Sequence, residues 1–291
     1  LSFYFRIILK MSEKLLTIGM ATYDDFDGVY FSVQTLIEYH LKDLRDKVEI
    51  LIIDNNPKSK HGEEVRKFAQ LSKCRYMPFE NKTGTSIRNE IFRNAKGEYT
   101  ICMDCHVIFK ENAIRDLLKF FEENPDSKDL IQGPLWNDDH VNLSTHMREV
   151  WLNDFYGYWQ CDKESYLKAE PFEIKMMGLG LFACKTSEWL GFNEKFKSFG
   201  GEEMYIQEKY RINGRKCLCL PSFGWFHRFA RPNGIFYPRS IHDRIYNYFV
   251  GWLELYNDES HPFILSIIEN FKKSIPENKI FEILKQAKES L

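Results

Sequence analysis

The sequence predicts an α/β protein built on a doubly wound, mostly parallel sheet flanked by helices. Three observations carry this reading. Apolar strand-like runs alternate with helical patterns through the first half of the chain, the order that crossover-connected parallel strands require. One run, Val48-Glu-Ile-Leu-Ile-Ile-Asp54, is almost wholly apolar, as expected of a strand covered on both faces. Polar residues also gather just past the ends of three runs, at 21–24, 54–55 and 104–106, where open α/β sheets collect their ligands.

Taken in order, residues 15–21 read as the first strand, followed by the acidic turn Asp24-Asp25-Phe26-Asp27-Gly28. A helix is expected to about residue 41, with Val29, Val33, Leu36 and Ile37 on one side. The strand 48–54 ends at Asn55-Asn56-Pro57, and a helix at 63–71 leads to a strand at 74–77. Ile87, Ile91 and Ala95, spaced i, i+4, i+8, predict a helix over 85–95 that Gly97 stops. A strand at 98–103 and a helix at 111–121 follow. The stretch 136–171 is rich in aromatic residues without a clear period; it reads mostly as packing, although aromatic rims also suit sugar rings. Residues 176–184 read as a glycine-containing strand approached closely by a ligand or another backbone. Gly200-Gly201 opens a helix at Glu202, and after residue 240 the pattern is helical, with breaks near Pro262 and Pro276. The expected division is an α/β domain at 11–239 and a C-terminal helical extension at 240–291.

Residues 1–10 are apolar but too short to span a bilayer, and Arg6 interrupts them; Met11 reads as a natural start. With no signal-peptide pattern and no run of transmembrane length, a cytoplasmic protein is expected. The 291 residues carry a net charge of −2, which makes no general electrostatic case for nucleic acid or anionic membrane. Locally, 205–244 holds Lys209, Arg211, Arg215, Lys216, Arg228, Arg231, Arg239 and Arg244 against Glu208 and Asp243, which leaves a polyanionic partner as a minor option. The seven cysteines are odd in number and irregular in spacing, so reduced thiols are expected. Cys102 and Cys105 have a zinc-like spacing, but Cys217 and Cys219 do not complete it.

The chemistry centres on Asp104-Cys105-His106. In an extended segment i and i+2 share a face, so the carboxylate and imidazole emerge together and make part of a metal site. His227, in Trp225-Phe-His-Arg228, is a candidate third ligand. The competing reading makes Asp104 a strand cap and both histidines core polar groups.

The ordered motifs resemble those of a GT-A-fold, family 2-like glycosyltransferase, most similar to the catalytic domain of polypeptide N-acetylgalactosaminyltransferases. Arg88-Asn89, Ala95-Lys-Gly-Glu-Tyr99, Met103-Asp-Cys-His106, Gly178-Leu-Gly-Leu-Phe-Ala183, Phe199-Gly-Gly-Glu-Glu203 and Trp225-Phe-His-Arg228 occur in the family's order over about residues 15–240. The resemblance implies a divalent metal, Mn2+ or Mg2+, held by Asp104, His106 and His227, bridging the diphosphate of a UDP-sugar as a Lewis acid. It implies a base pocket from Thr22, Tyr23 and Asp24, with Asp54 and Asn55 where the family has an Asp-Asp pair that reads uracil. It places Arg88 toward the nucleotide, Gly178 and Gly180 under the donor sugar, Glu202 on sugar hydroxyls, and Arg228 and Arg231 in a lid over the diphosphate. Arg88 as a surface residue of an amphipathic helix is the alternative. Glu203 stands where retaining relatives have Asn; it could be a base for inversion or one more acid at a helix N-terminus. The resemblance favours retention, and Glu203 keeps inversion open. The acceptor (glycan, protein or modified nucleic acid) is not implied. A catalytically silent nucleotide-sugar-binding protein of the same fold is the second reading. A nucleotidyltransferase would need a glycine-rich loop after the first strand, which Ala21-Thr-Tyr-Asp-Asp25 lacks.

Overall fold

The computed structural model describes residues 14–81, 84–229, 237 and 239–291. In chain order these comprise β1 (Lys14–Thr22), α1 (Phe26–Thr35), β2 (Val48–Asp54), α2 (Lys60–Leu71), β3 (Arg75–Pro78), α3 (Arg88–Asn94) and β4 (Gly97–Asp104). Then come β5 (Val107–Phe109), α4 (Ala113–Glu123), β6 (Leu130–Gln132), β7 (Leu135–Trp136), β8 (Leu143–Ser144), β9 (His146–Leu152), β10 (Phe155–Gln160), α5 (Lys163–Leu167) and β11 (Phe172–Glu173). The chain closes with β12 (Leu181–Lys185), α6 (Glu202–Ile212), β13 (Cys217–Cys219), β14 (Trp225–His227), α7 (Ile241–Tyr256), α8 (Pro262–Phe271) and α9 (Glu277–Ser290).

Among the described residues the main sheet has eight strands in the order β11-β13-β6-β12-β4-β1-β2-β3. The neighbours β4, β1, β2 and β3 are parallel, while β12 enters antiparallel between β4 and β6. Leu16, Ile18 and Met20 of β1 and Leu51, Ile52 and Ile53 of β2 are fully buried. Burial of each such side chain stabilises the fold by roughly 1.5–3 kcal/mol. The register pairs Ala21 with both Ile53 and Asp104, and Thr22 with Asp54, so three strands end at one level. That level is the floor of the site.

Local chemistry explains most boundaries. Asp25 caps α1 by accepting from the Gly28 N–H at 3.1 Å, and Ser59 caps α2 through Gly62 at 3.0 Å. The helix expected to residue 41 ends at Thr35 and widens into one π turn, Leu36–His40. The helix expected from residue 85 begins as a 3-10 turn, Thr85–Ile87. The strand expected at 176–184 is confined to β12; just before it the Gly178 and Gly180 carbonyls accept from Gln132 Nε2 and the Asp104 N–H. Residues 136–171 are not only packing: β9 and β10 form a separate antiparallel hairpin, and β5, β14, β7 and β8 form a second small sheet. Strands of two or three residues are too short to show a period in the sequence. All seven cysteines are free, and among the described residues no thiol cluster gathers.

The C-terminal helices start where the prolines predicted. Pro262 opens α8, where its missing N–H costs nothing, and Pro276 caps α9. Helix α7 does more than cover the sheet. Asn247, fully buried, accepts from the Lys197 N–H at 2.8 Å and donates to the carbonyls of Lys197 and Gly200 at 2.7 and 2.8 Å. These bonds hold the turn through Gly200 and Gly201, whose φ angles of 100° and 95° require glycine. Asn247→Ala strands three backbone groups in the interior. It is expected to destabilise the protein by about 2–4 kcal/mol in urea unfolding.

Candidate active site

The site lies in a cleft of about 560 Å³ at the carboxyl ends of β1 and β4. Its floor is set by a pairing that joins residues far apart in sequence: antiparallel β5 and β14 place His227 opposite Val107, beside His106. The Arg228 N–H, donating to the His106 carbonyl at 3.2 Å, continues that pairing. His227 Nε2 then lies 3.3 Å from Asp104 Oδ2 and 3.1 Å from His106 Nε2, which is itself 3.9 Å from Asp104 Oδ2. One ligand atom from each residue falls within 4.8 Å of the others. Gly180 makes room for this: a Cβ there would come within 2.9 Å of the Trp225 ring and 3.3 Å of His227.

Asp25 determines which nitrogen of His106 faces the cluster. Its Oδ2 lies 2.8 Å from His106 Nδ1, and its Oδ1 accepts from Gly28 N–H and, at 3.0 Å, from Arg228. Burial pushes this carboxyl up, but the His106 bond, Gly28 and Arg228 outweigh it and bring it down to about 2. An ionised carboxylate can only accept, so His106 carries its proton on Nδ1 and presents the Nε2 lone pair inward. On the other ring, His227 Nδ1 is buried without a hydrogen-bond partner among the described residues. Two imidazole nitrogens and a carboxylate oxygen converge, with one tautomer fixed from outside, and this donor set fits a divalent cation with open positions. Asp25 was read in the sequence only as part of an acidic turn; its capping position beside the metal motif is the signal that could have identified it.

Asp104 is held by more than the histidines. Burial pushes its carboxyl up, but Arg88, 2.9 Å from Oδ1, together with His227 and His106, holds it well below the usual carboxylate range. Arg88 is buried rather than a surface residue and reaches Glu202 at 3.5 Å. Burial and the adjacent Glu203 push the Glu202 carboxyl up against the pull of Arg88. Glu202 Oε2 has no partner among the described residues, and Glu203, half-buried, borders the same cleft.

Thr22, Tyr23, Asn55, Gly178 and Gly180 also line the cleft, and the buried Thr22 hydroxyl is unpartnered. Three expected residues are placed differently. Asp54 does not border the cleft: its oxygens accept from the Asn56 N–H at 2.9 Å and the Tyr76 hydroxyl at 2.8 Å, and burial pushes its carboxyl up. Asp24, at φ 52°, accepts from Asn56 Nδ2 at 2.9 Å and stands off the wall. Arg228 reaches Asp25 instead of the cleft. Arg231 lies outside the described residues. The basic run is also largely neutralised: Lys209 pairs with Glu254, Arg211 with Glu208, Arg215 with Glu188 and Arg244 with Asp154.

This combination of a mixed sheet, a cleft at its carboxyl edge and an Asp-x-His cluster defines a GT-A-type fold. The family 2 glycosyl transferase profile matches residues 17–180, and the chain belongs to that family. Glycosyltransferase GlyG of Streptococcus pneumoniae serotype 4 (strain ATCC BAA-334 / TIGR4) is 31% identical over 105 residues, 35% of this chain and 34% of that protein. The match therefore spans about a third of that relative. Among solved structures, GalNAc-T7 with UDP, GalNAc and Mn2+ aligns with a TM-score of 0.67 at 18% identity, over 94% of this chain and 54% of that one. Mannosyltransferase PcManGT from Pyrobaculum calidifontis, with GDP-Man and Mn2+, aligns at 0.56 and 15% identity, over 95% and 74%. S. aureus TarS 1-349 with UDP-GlcNAc aligns at 0.55 and 14%, over 91% and 74%. At these identities the likeness is one of fold. Among the described residues no helix is long and apolar enough to cross a membrane.

Asp25→Asn tests the tautomer argument. Oδ1 would stay with Gly28 and Arg228, which turns the amide NH2 toward His106 Nδ1 and shifts the ring proton to Nε2. Mn2+ affinity, followed by electron paramagnetic resonance, is expected to fall about 10- to 100-fold. Asp104→Ala should remove binding.

Proposed function

We propose that the chain is a metal-dependent glycosyltransferase moving a sugar from a nucleotide sugar, with a UDP-sugar as donor, to an acceptor hydroxyl. The observation that carries this is the convergence of Asp104, His106 and His227 beside Arg88 and Glu202 on the floor of one cleft. In such a reaction the bond from the anomeric carbon to the diphosphate breaks as a bond to the acceptor oxygen forms. The negative charge left on the diphosphate must be neutralised.

A divalent ion, Mn2+ by preference, supplies Lewis-acid stabilisation of the leaving diphosphate when bound. Asp104, His106 and His227 would hold it, with Asp25 orienting His106. Arg88, already desolvated, adds a fixed positive charge at the same end. Thr22, Tyr23 and Asn55 border the part of the cleft suited to the base and ribose. The unpartnered Glu202 Oε2 is an acceptor ready for a donor-sugar hydroxyl. The acceptor proton passes either to the departing diphosphate or to Glu203, and the two routes give retained and inverted products respectively. Glu203 stands where the retaining relatives have Asn, so the product anomer reports which route this chain uses.

The test is UDP release from a donor panel with and without Mn2+. Turnover is expected with at least one UDP-sugar and should vanish with EDTA. His227→Ala should lower it by on the order of 100-fold or more, because a Lewis-acid contribution of several kcal/mol is lost. Donor binding without turnover across the panel would instead identify a nucleotide-sugar-binding protein, and unchanged turnover in His227→Ala would overturn the three-ligand site.

A further inference from the structure

The cleft continues well beyond the cluster of acids and histidines, and its far wall is made of a different material. Hairpin β9–β10 contributes Leu152, Asn153, Phe155, Tyr156 and Trp159, and Phe199 faces in from the turn before α6. The rings form a row: Phe155 lies 6.5 Å from Phe199, and Phe199 lies 5.1 Å from Tyr237, centroid to centroid. Phe199 directly precedes Gly200-Gly201-Glu202-Glu203, and it lines the same cleft as the two carboxyl groups. Phe155 keeps 38% of its surface exposed although the Arg244 guanidinium packs over its ring at 3.7 Å. A row of rings lining a cleft, one exposed and two half-buried, marks a surface suited to a covering ligand.

Charge narrows what covers it. Arg244 is engaged by Asp154, so the cation beneath Phe155 offers no net field to the cleft. On the described wall the cationic side chains are Arg88, engaged by Asp104 and Glu202, and Arg239 at the rim. One guanidinium suits hydroxyl groups but not a polyanion, which needs several cations to displace its counterions. A peptide adding as an extra strand would need a regular free edge. On β10 that edge is broken by a register shift between Tyr156 and Tyr158, with Gly157 at φ 123°. A sugar ring fits what remains, because its apolar C–H face stacks on aromatic rings while its hydroxyls meet Asn153, Arg239 and Glu203.

We propose that Phe155, Phe199 and their neighbours on hairpin β9–β10 form an acceptor subsite for a neutral saccharide, which presents one hydroxyl beside Glu202 and Glu203. This deepens the glycosyltransferase reading and rests on it.

Saturation-transfer NMR on the full chain with UDP and Mg2+ tests it, using lactose, cellobiose and chitobiose as neutral probes against dextran sulfate and a Ser/Thr-rich peptide. Transfer to the ring C–H protons of a disaccharide is expected. Phe155→Leu and Phe199→Leu keep the apolar volume and should weaken that binding about five- to tenfold, with Phe155→Tyr restoring it. Disaccharides that bind both Leu variants as they bind the native chain would overturn the subsite. So would binding of only the sulfated polymer or only the peptide. Donor hydrolysis without saccharide binding would leave the transferase reading standing and remove the subsite. Saccharide binding lost in the Leu variants, with no donor turned over, would do the reverse.

Discussion

A carboxylate at the end of a buried central strand must be compensated, because removing it from water costs several kcal/mol unless charges and hydrogen bonds replace the solvent. Asp104 is in that position, and much of the molecule can be understood as its compensation. Arg88 takes one oxygen at 2.9 Å and His227 approaches the other at 3.3 Å. Arg88 is shared with Glu202, and His106 is oriented by Asp25, which is in turn held by Arg228. Each of Asp104, Asp25 and Glu202 is thereby met by an arginine, and Asp104 and Asp25 by an imidazole as well. The arrangement still leaves donor atoms facing one another, which a neutral core would not tolerate. A group of this kind is stable in the protein and strongly attractive to a cation.

The same network ties stability to function. The turn that delivers Glu202 and Glu203 is held by Asn247 of α7, and Arg244 of that helix links it to Asp154 in the β9–β10 turn. Helix α7 therefore braces both the acids and the aromatic hairpin, although it contributes no residue to the reaction centre. The C-terminal helices belong to the architecture of the site as well as to the core.

The motifs that resemble the family gather on one side of the cleft, and hairpin β9–β10 with Phe199 supplies the aromatic side. Its partly exposed rings carry a cost in water that a saccharide face would remove. Among the described residues, the pairing of Lys209, Arg211, Arg215, Arg228 and Arg244 with acidic partners points the same way, because those cations are not left over for an anionic acceptor.

Much of this protein was legible in its sequence. Long apolar strands, capped helices and the prolines at 262 and 276 act locally, so the parallel half of the sheet and the start of each C-terminal helix could be read directly. The Asp-x-His pair does bring its ligand atoms together, but not through a shared strand face: β4 ends at Asp104, and Cys105 and His106 form the turn into β5. Local pattern could not show which distant residues would meet. Three-residue β5 and β14 have no period of their own, yet their pairing sets His227 beside His106. The sequence offered Asp54 as a nucleotide contact and Arg228 as a lid cation, and local pattern could not show that Tyr76 and Asn56 bond the oxygens of Asp54 or that Arg228 pairs with Asp25. The aromatic stretch at 136–171 became a cleft wall only through a hairpin with a two-residue turn and a bulge. The sequence by itself determined the parallel half of the sheet, the family motifs and the residue types offered as metal ligands, because these rest on short-range patterns. The tertiary structure alone decided which polar groups remain unsatisfied, because that depends on long-range pairing, and those groups are the ones available for chemistry.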